Sequence, residues 1–523
     1  MTRKQYPFFF SIILKMSTGA LTQLAAIGSA DAYLSISGEV TFFKGIYRRH
    51  TAFAKEAVKM PFTRVPAWGS ECTASISRTG DLLSKTWLVV EVPPLNPHLS
   101  LEDFKIYKDN SSLTTTDNAD TGLPDTPGYY PGARFCDELG HAMIDTIEVI
   151  IGGTKIDMHK GQYMQIFHEL STSKEKKDLD ILIGKSGSIT ELEEMAKTTQ
   201  KLYIPLQFWF CRHLQQALPL IALQYHSIEI KVKFKPIKEV VAHPGLYVQR
   251  ENGTDFASGS TTQLVDAFSL TGETASNFYS QGGKVRQDQL LTGEKYQLKA
   301  DGTHLLCNLV YLEEEERKSF AQSTHEYLID ILQDEPEQQL VTGTSSSEKV
   351  TTQLTLFFNH PVSELIWVLT PDVCIDAGEP FCYSALTNSY NSAQDPLYSA
   401  SLKFNGYDRF DKSNYGPEYF RELVPGQYHT SIPQKHIYCY SFAIEPEDSR
   451  PSGTANFSRI DSVKLILEHV NYNDMVLKET GRTLPSGGTT GTCKKTGGKV
   501  KIYARSKNVL RIRSGMAGLA YAN

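Results

Sequence analysis

The residues best equipped for chemistry sit in one apolar stretch, LYIPLQFWFCRHLQQALPLIALQYHSIEIKVKF, from Leu202 to Phe234. Cys211 and His213 flank Arg212 there, and a thiol beside an imidazole is the pairing needed for a nucleophile and its base. Alternate residues on a strand point the same way without touching, however, and no G-x-S-x-G or comparable frame surrounds them. The reading that fits better is a buried cysteine beside a loop. IGKSGS, Ile183 to Ser188, resembles part of a phosphate-binding loop, but Leu179 stands where the pattern needs its first glycine. The acidic run Glu313 to Glu316, followed by Arg317, lacks the alternation and glycine of a calcium loop, and reads as a solvated charge run. No catalytic residue, metal ligand or cofactor site is therefore expected.

The elements that would hold such residues are mostly strands. Ile228, Ile230, Val232 and Phe234 alternate with Glu229, Lys231 and Lys233, one face apolar and the other charged. DTIEVIIGGTKID carries Ile147, Val149 and Ile151 into Gly152-Gly153, a dipeptide that accepts the positive φ of a hairpin turn. TWLVVEVPP ends at Pro93-Pro94, which cannot donate to a ladder. LTLFF, ELIWVL, VKLIL and NVLRIRS repeat the strand pattern later in the chain. Helices are few: Ser188 with Glu191 forms a capping box, and HKGQYMQIFHEL has helical spacing in Tyr163, Ile166, Phe167 and Leu170. Long polar stretches run over 107–132, 242–302, 333–349 and 484–499, and such loops are usually functional or inserted.

Composition is that of a folded protein with a large core: 523 residues, 40% hydrophobic, 21% charged and 11% aromatic. A net charge of −6 gives no global field to attract a phosphate backbone, so no direct nucleic-acid binding is expected. The eight cysteines are scattered singly, without C-x-x-C pairs, which suits free thiols in a reducing compartment. The apolar run in YPFFFSIILK is too short to span a bilayer, and no convincing cleavage site makes it a signal peptide. Sequons occur at Asn110, Asn252 and Asn456. The first two lie in polar loops and are the candidate glycosylation sites, whereas Asn456 leads into an apparent strand. From Gly491 to the end there are eight basic residues and no acid. Arg511 and Arg513 alternate with Leu510 and Ile512, as on a strand with a basic outer face; contact with an anionic surface is the alternative.

Several segments together resemble the major capsid proteins of nucleocytoplasmic large DNA viruses, in the branch that infects algae and protists. They include GALTQLAAIGSADAYLS, VTFFKGIYRRHTAFAKE, IEVIIGGTKIDMHKGQYMQIFHEL, the Leu202 to Phe234 stretch, VYLEEEERKSFAQSTHEYLI, FNHPVSELIWV, FNGYDRF, YHTSIP, IYCYSFAIEPEDSRPSGTANFSRID and NVLRIRSGMAGLAYAN, in the family's order from Gly19 to Asn523.

The resemblance implies an all-β fold of two consecutive antiparallel jelly-roll sandwiches, with short connecting helices and long loops. It implies an N-terminal extension over 1–18, a first jelly roll over 19–236, an interdomain insertion over 237–300 and a second jelly roll over 301–523. Leu202 to Phe210 and Ile221 to Phe234 become core strands, joined through Cys211 to Gln216. The function implied is structural: homotrimers forming pseudo-hexagonal capsomers that tile an icosahedral virion, assembled in the host cytoplasm against neighbouring capsomers and minor capsid proteins. Arg48, Arg49, Arg317 and Lys318 lie in matching motifs and are candidates for subunit or interdomain contacts. A carbohydrate-binding or carbohydrate-cleaving jelly roll, or a minor capsid protein, are the alternatives.

MSTGALTQL, from Met16, reads like the family's usual beginning, which leaves Met1 to Lys15 as an extension. Its apolar block between Arg3, Lys4 and Lys15 would suit the surface of an inner anionic bilayer if it is kept. A chain starting at Met16 is expected to fold and assemble normally, and N-terminal peptides from virions to begin at or just after Met16. Abundant peptides spanning Thr2 to Lys15 would reject the later start.

Overall fold

The structure, a computed structural model, describes residues 49–95, 134–186, 188–242, 297–343, 349–376, 378–385, 395–411, 415–472 and 497–521. It also gives the backbone of short strands at Tyr247–Glu251, Thr262–Asp266, Met475–Lys478 and Thr492–Lys495, and a few isolated positions before 49. Met1–Lys15, Arg48, Asn110 and Asn252 lie outside the described residues. The chain forms two units, Met1–Ala52 and Phe53–Asn523, and all the strands below belong to the second.

Eight strands build the first sandwich: β1 (Phe53–Pro61), β2 (Glu71–Ser75), β3 (Leu82–Val92), β4 (Ile144–Ile151), β5 (Thr154–Lys160), β6 (Gln200–Pro205), β7 (Ile228–Phe234) and β8 (His304–Leu312). They pair antiparallel as β1-β8-β3-β6 and β2-β7-β4-β5. The second sandwich uses β9 (His325–Asp334), β10 (Lys349–Leu356), β11 (Pro361–Pro371), β12 (Leu397–Phe404), β13 (Tyr407–Phe410), β14 (Tyr438–Ser441), β15 (Val463–Val470) and β16 (Gly498–Arg513). Their order, β9-β16-β11-β14 and β10-β15-β12-β13, is the first pattern advanced by eight strands. Both are jelly rolls.

Strand β8 corrects the expected division, because it pairs with β1 and β3 inside the first sandwich. The first sandwich therefore closes only at Leu312, and the helix Glu314–Gln322 leads into the second. The expected core strands also shorten. Strand β6 stops at Pro205, and Trp209–Arg212 is a helical turn. Phe208, Trp209, Phe210 and Cys211 are all buried. A strand would turn every second one outward, whereas a helical turn lets Phe208, Trp209 and Phe210 pack ring against ring.

Antiparallel pairing places the chain connections at two unlike ends. At one end run 62–70, 93–143, 161–199 and 235–303; at the other, 76–81, 206–227 and the tight turn at Gly152-Gly153, whose φ values are +57° and +79°. The second sandwich repeats this, with 335–348, 372–396, 411–437 and 471–497 at one end. Like ends lie together. Arg134 meets Glu379 and Lys160 meets Asp334 at the long-loop end, while Tyr225 N–H donates to the Gly515 carbonyl at the other.

The alternation in β7 holds, since Ile228, Ile230, Val232 and Phe234 are buried and Lys231 pairs across the strand with Glu71 at 2.7 Å. Ile230→Asp should leave no soluble protein, because an unpaired buried charge costs several kcal/mol against a stability of about 5–15 kcal/mol. Lys231→Asp should remain soluble with a melting temperature lower by only a few degrees. Equal behaviour of the two would contradict this register.

Candidate functional site

Cys211 and His213 do not meet as a catalytic pair. The Cys211 thiol points to the Ser84 carbonyl at 3.8 Å, and burial pushes it up to about 12. His213 Nε2 faces the Glu447 carbonyl at 3.2 Å. In IGKSGS, Gly184 takes φ +75° to end a 3-10 helix, and Lys185 turns inward to Glu138, Glu169 and Asp180. The predicted capping box is rearranged: Ser188 makes no side-chain cap, and Ser186 Oγ donates to Glu191 instead. Glu314, Glu315 and Glu316 form the first turn of the helix Glu314–Gln322, where carboxylates suit the helix dipole.

Among the candidate contact residues, Arg49 is exposed, and Arg317 reaches the Asp81 carboxylate at 2.9 Å, tying the connecting helix to the first sandwich. Lys318 pairs with Glu314 one helical turn away, both exposed. Asn456 is exposed, and its Oδ1 accepts from Ser458 N–H at 3.1 Å. Cys72, Cys136, Cys211, Cys307 and Cys439 are buried free thiols.

The structure instead gathers charge at a seam between the sandwiches. The helix Gly161–Ser171, which follows β5, lies against the outer face of the β9-β16-β11-β14 sheet. Arg505 of β16 sits over the Phe167 ring at 5.1 Å and donates to Glu364 of β11 at 3.0 Å and Asp330 of β9 at 3.3 Å. Arg212, from the first sandwich, also lies over the Phe167 ring, at 5.3 Å, and stands 3.4 Å from Asp330, which Lys507 also contacts. His429 places Nε2 3.0 Å from Glu364 and Nδ1 3.0 Å from Glu447. Toward the long loops, Lys435 of the second sandwich donates to Glu138 of the first at 2.9 Å. Tyr383 O–H donates to Gln165 and Tyr503 O–H to Gln162. Asp157 of β5 accepts the backbone N–H of Leu332 at 3.1 Å, satisfying a donor on the edge of β9.

Burial alone would neutralise these groups, and their partners reverse that. For Glu364, burial raises the pKa, but His429 and Arg505 outweigh it and bring it to about 2. For His429, burial lowers it, but Glu364 chiefly carries it up to about 12. Burial likewise opposes ionisation of Glu138, and Lys435, His141 and Lys185 hold it well below the usual range. Glu364, Asp330 and Glu138 are each engaged by a cation, which leaves none of the three free for general acid or base work. Its chemistry is cohesion.

Sequence reasoning missed this seam. Lys501, Arg505 and Lys507 alternate along β16 like a solvent face, as Arg511 and Arg513 do, yet the first three are buried and the last two exposed.

Two family models match the chain: the N-terminus of the major capsid protein over residues 41–278, and the large eukaryotic DNA virus major capsid protein over 316–518. The major capsid protein of Pyramimonas orientalis virus is 31% identical, covering 97% of this chain and all of that one. The chain belongs to the major capsid proteins of large eukaryotic DNA viruses. The Phaeocystis pouchetii virus major capsid protein is 28% identical over the same shares. A quasi-atomic model of the PBCV-1 virus capsid shares the fold, with a TM-score of 0.65, 24% identity, and coverage of 92% of this chain and all of that one. The double jelly roll is thus the family fold, and the protein is a structural component of the virion capsid, not an enzyme.

The seam makes stability depend on pH from both sides. Glu364, depressed from 4.5 to about 2, stabilises the fold above pH 4.5 and loses that contribution as pH falls toward 2. His429, raised from 6.5 to about 12, contributes fully below pH 6.5 and loses its share as pH rises toward 12. Glu364→Gln should cost about 3–5 kcal/mol at neutral pH, and its melting temperature should fall less than the parent's on acidification below pH 4.5. Parallel acid profiles in calorimetry would show that Glu364 is not the group responsible.

Proposed function

We propose that this major capsid protein assembles as a homotrimer whose six sandwiches form a pseudo-hexagonal capsomer, and that such capsomers tile an icosahedral shell. The observation that carries this reading is the repetition within one chain. Two sandwiches of the same strand order stand side by side with like ends together, so three chains supply six similar blocks around one axis.

The two ends take different roles in this reading. The end with long connections faces outward, where length and sequence vary at little cost to the core. The short-loop end faces the interior, toward minor capsid proteins, with an inner membrane as a further surface for Met1–Lys15. Contacts between capsomers are smaller than those within one, and assembly takes place in the host cytoplasm. Asn110 and Asn252, in polar stretches of the sequence, are the proposed glycosylation sites, whereas Asn456 lies in the connection 442–462, which joins strands at the opposite end.

Light scattering of the purified protein should give a mass near three times the 58.5 kDa chain at micromolar concentration. A stable monomer there would overturn the trimer.

A further inference from the structure

Cys374 and Cys382 lie in the connection after β11, which turns through the helix Asp372–Asp376 and then doubles back. Glu379 N–H donates to the Cys374 carbonyl at 2.9 Å, and Cys382 N–H donates to the Glu379 carbonyl at 3.3 Å. These two turns bring the side chains together in the core of the second sandwich, 1% and 3% exposed, with the Cys374 S–H hydrogen-bonded to the Cys382 sulfur. Both are free thiols. The buried hydroxyl of Tyr472 lies near both and has no hydrogen-bond partner among the described residues, so it offers an entering small molecule a donor.

Cys382 differs from the other buried thiols. Burial pushes Cys72, Cys211 and Cys307 up to about 12, as befits inert core cysteines. At Cys382 the hydrogen bond from Cys374 outweighs burial and, with the Ser384 backbone N–H and the Lys435 charge, holds the thiol below its ordinary range. One thiolate steadied by a second thiol is the arrangement in which the first attacks an oxidant and the second resolves the product.

The segment beside this pair is where the second sandwich grips the first at the long-loop end. Glu379 accepts from Arg134 at 2.6 Å, Tyr383 O–H donates to Gln165 at 3.0 Å, and Lys435, the donor to Glu138, stands over the Phe381 ring at 5.3 Å. Cys374 belongs instead to the helix that continues β11, whose Asp372 N–H donates to the Gly497 carbonyl beside β16 at 3.1 Å. A bond between the two sulfurs would therefore fasten the gripping segment to the sheet behind it.

We infer that Cys374 and Cys382 are a peroxide-reactive dithiol, which closes to a disulfide when the protein leaves a reducing compartment. The Cys382 thiolate attacks one oxygen of hydrogen peroxide, forming an S–O bond as the O–O bond breaks; the departing hydroxide takes up the thiol's proton and leaves as water. The Cys374 sulfur then attacks the Cys382 sulfenic acid, forming the S–S bond and releasing its oxygen as a second water. Two thiols are oxidised and one peroxide is reduced, with no other reactant. Sulfurs already in contact need little backbone movement to join.

The test uses the full chain purified in reductant, freed of it, and treated with a small excess of hydrogen peroxide at neutral pH. The protein is then quenched, denatured in N-ethylmaleimide and digested with trypsin without reduction. Cys374 and Cys382 fall in one tryptic peptide, Val350–Lys403, that holds no other cysteine. That peptide should lose both labels and weigh two hydrogens less than its reduced form, and the melting temperature of the intact protein should rise by a few degrees. Cys374→Ser, which removes the resolving thiol, should show no such rise and should instead give a dimedone adduct at Cys382. Half-exposed Met516 reports that peroxide has acted. Both cysteines still labelled when Met516 is oxidised would overturn the inference, as would sulfinic acid at Cys382 in the parent chain or a disulfide from either cysteine to Cys493. The parent's peptide map decides the pairing even where Cys374→Ser lowers the yield of folded protein.

Discussion

A guanidinium sealed from water governs this molecule. Arg505 lies between Glu364 and Asp330 on one sheet, and against Phe167 of the facing sandwich. An arginine cannot shed its charge on burial, so its neighbours must supply carboxylates in fixed places or the fold fails. Those carboxylates in turn recruit His429, Lys507 and Arg212, and Arg212 belongs to the first sandwich. One obligatory charge thereby fixes how the two halves of the chain meet.

An apolar seam of equal area would hold the halves at least as firmly, since replacing buried ion pairs with packed hydrophobic groups is often neutral or stabilising. Apolar faces, however, tolerate sliding and rotation. Ion pairs spread along the seam, from Lys435 with Glu138 at the long-loop end to Arg212 with Asp330 nearer the other, penalise every offset by leaving charges unpaired. Their stabilisation is modest and their geometric demand is large. A subunit that must present two sandwiches at a reproducible angle to its neighbours needs the second property more.

Strand alternation was legible wherever one face met solvent. Ile228 to Phe234 and the Gly152-Gly153 turn could be read directly, as could the helix around Tyr163 to Leu170. Legibility failed where both faces are buried. Strand β11 is buried from Val362 to Pro371, and β16 hides Lys501, Arg505 and Lys507 in a pattern that looks like a wetted face. Strand β8 failed for another reason. It inserts between β1 and β3, more than two hundred residues earlier in the chain, and periodicity carries no information about which sheet a strand joins. The candidate residues chosen for their chemistry, Cys211 and His213, were prominent only because a helical turn packs consecutive aromatics around them.

The separation of ends follows from the same arrangement. Among the described residues, the contacts that hold the sandwiches together involve strands, the helix Gly161–Ser171 and the flanks of the connections, and loop closure costs little more as a loop lengthens. A connection such as 93–143 or 235–303 can therefore grow between its anchored ends, Arg134 against Glu379 in one case and Val241 against Phe135 in the other, without disturbing Arg505 and its partners. The opposite end has no such freedom, because Gly152 lies so close to His226 that a Cβ there would sit 2.3 Å from the ring, and the Gly515 carbonyl is held by Tyr225. Variation is channelled to one end by the packing of the other.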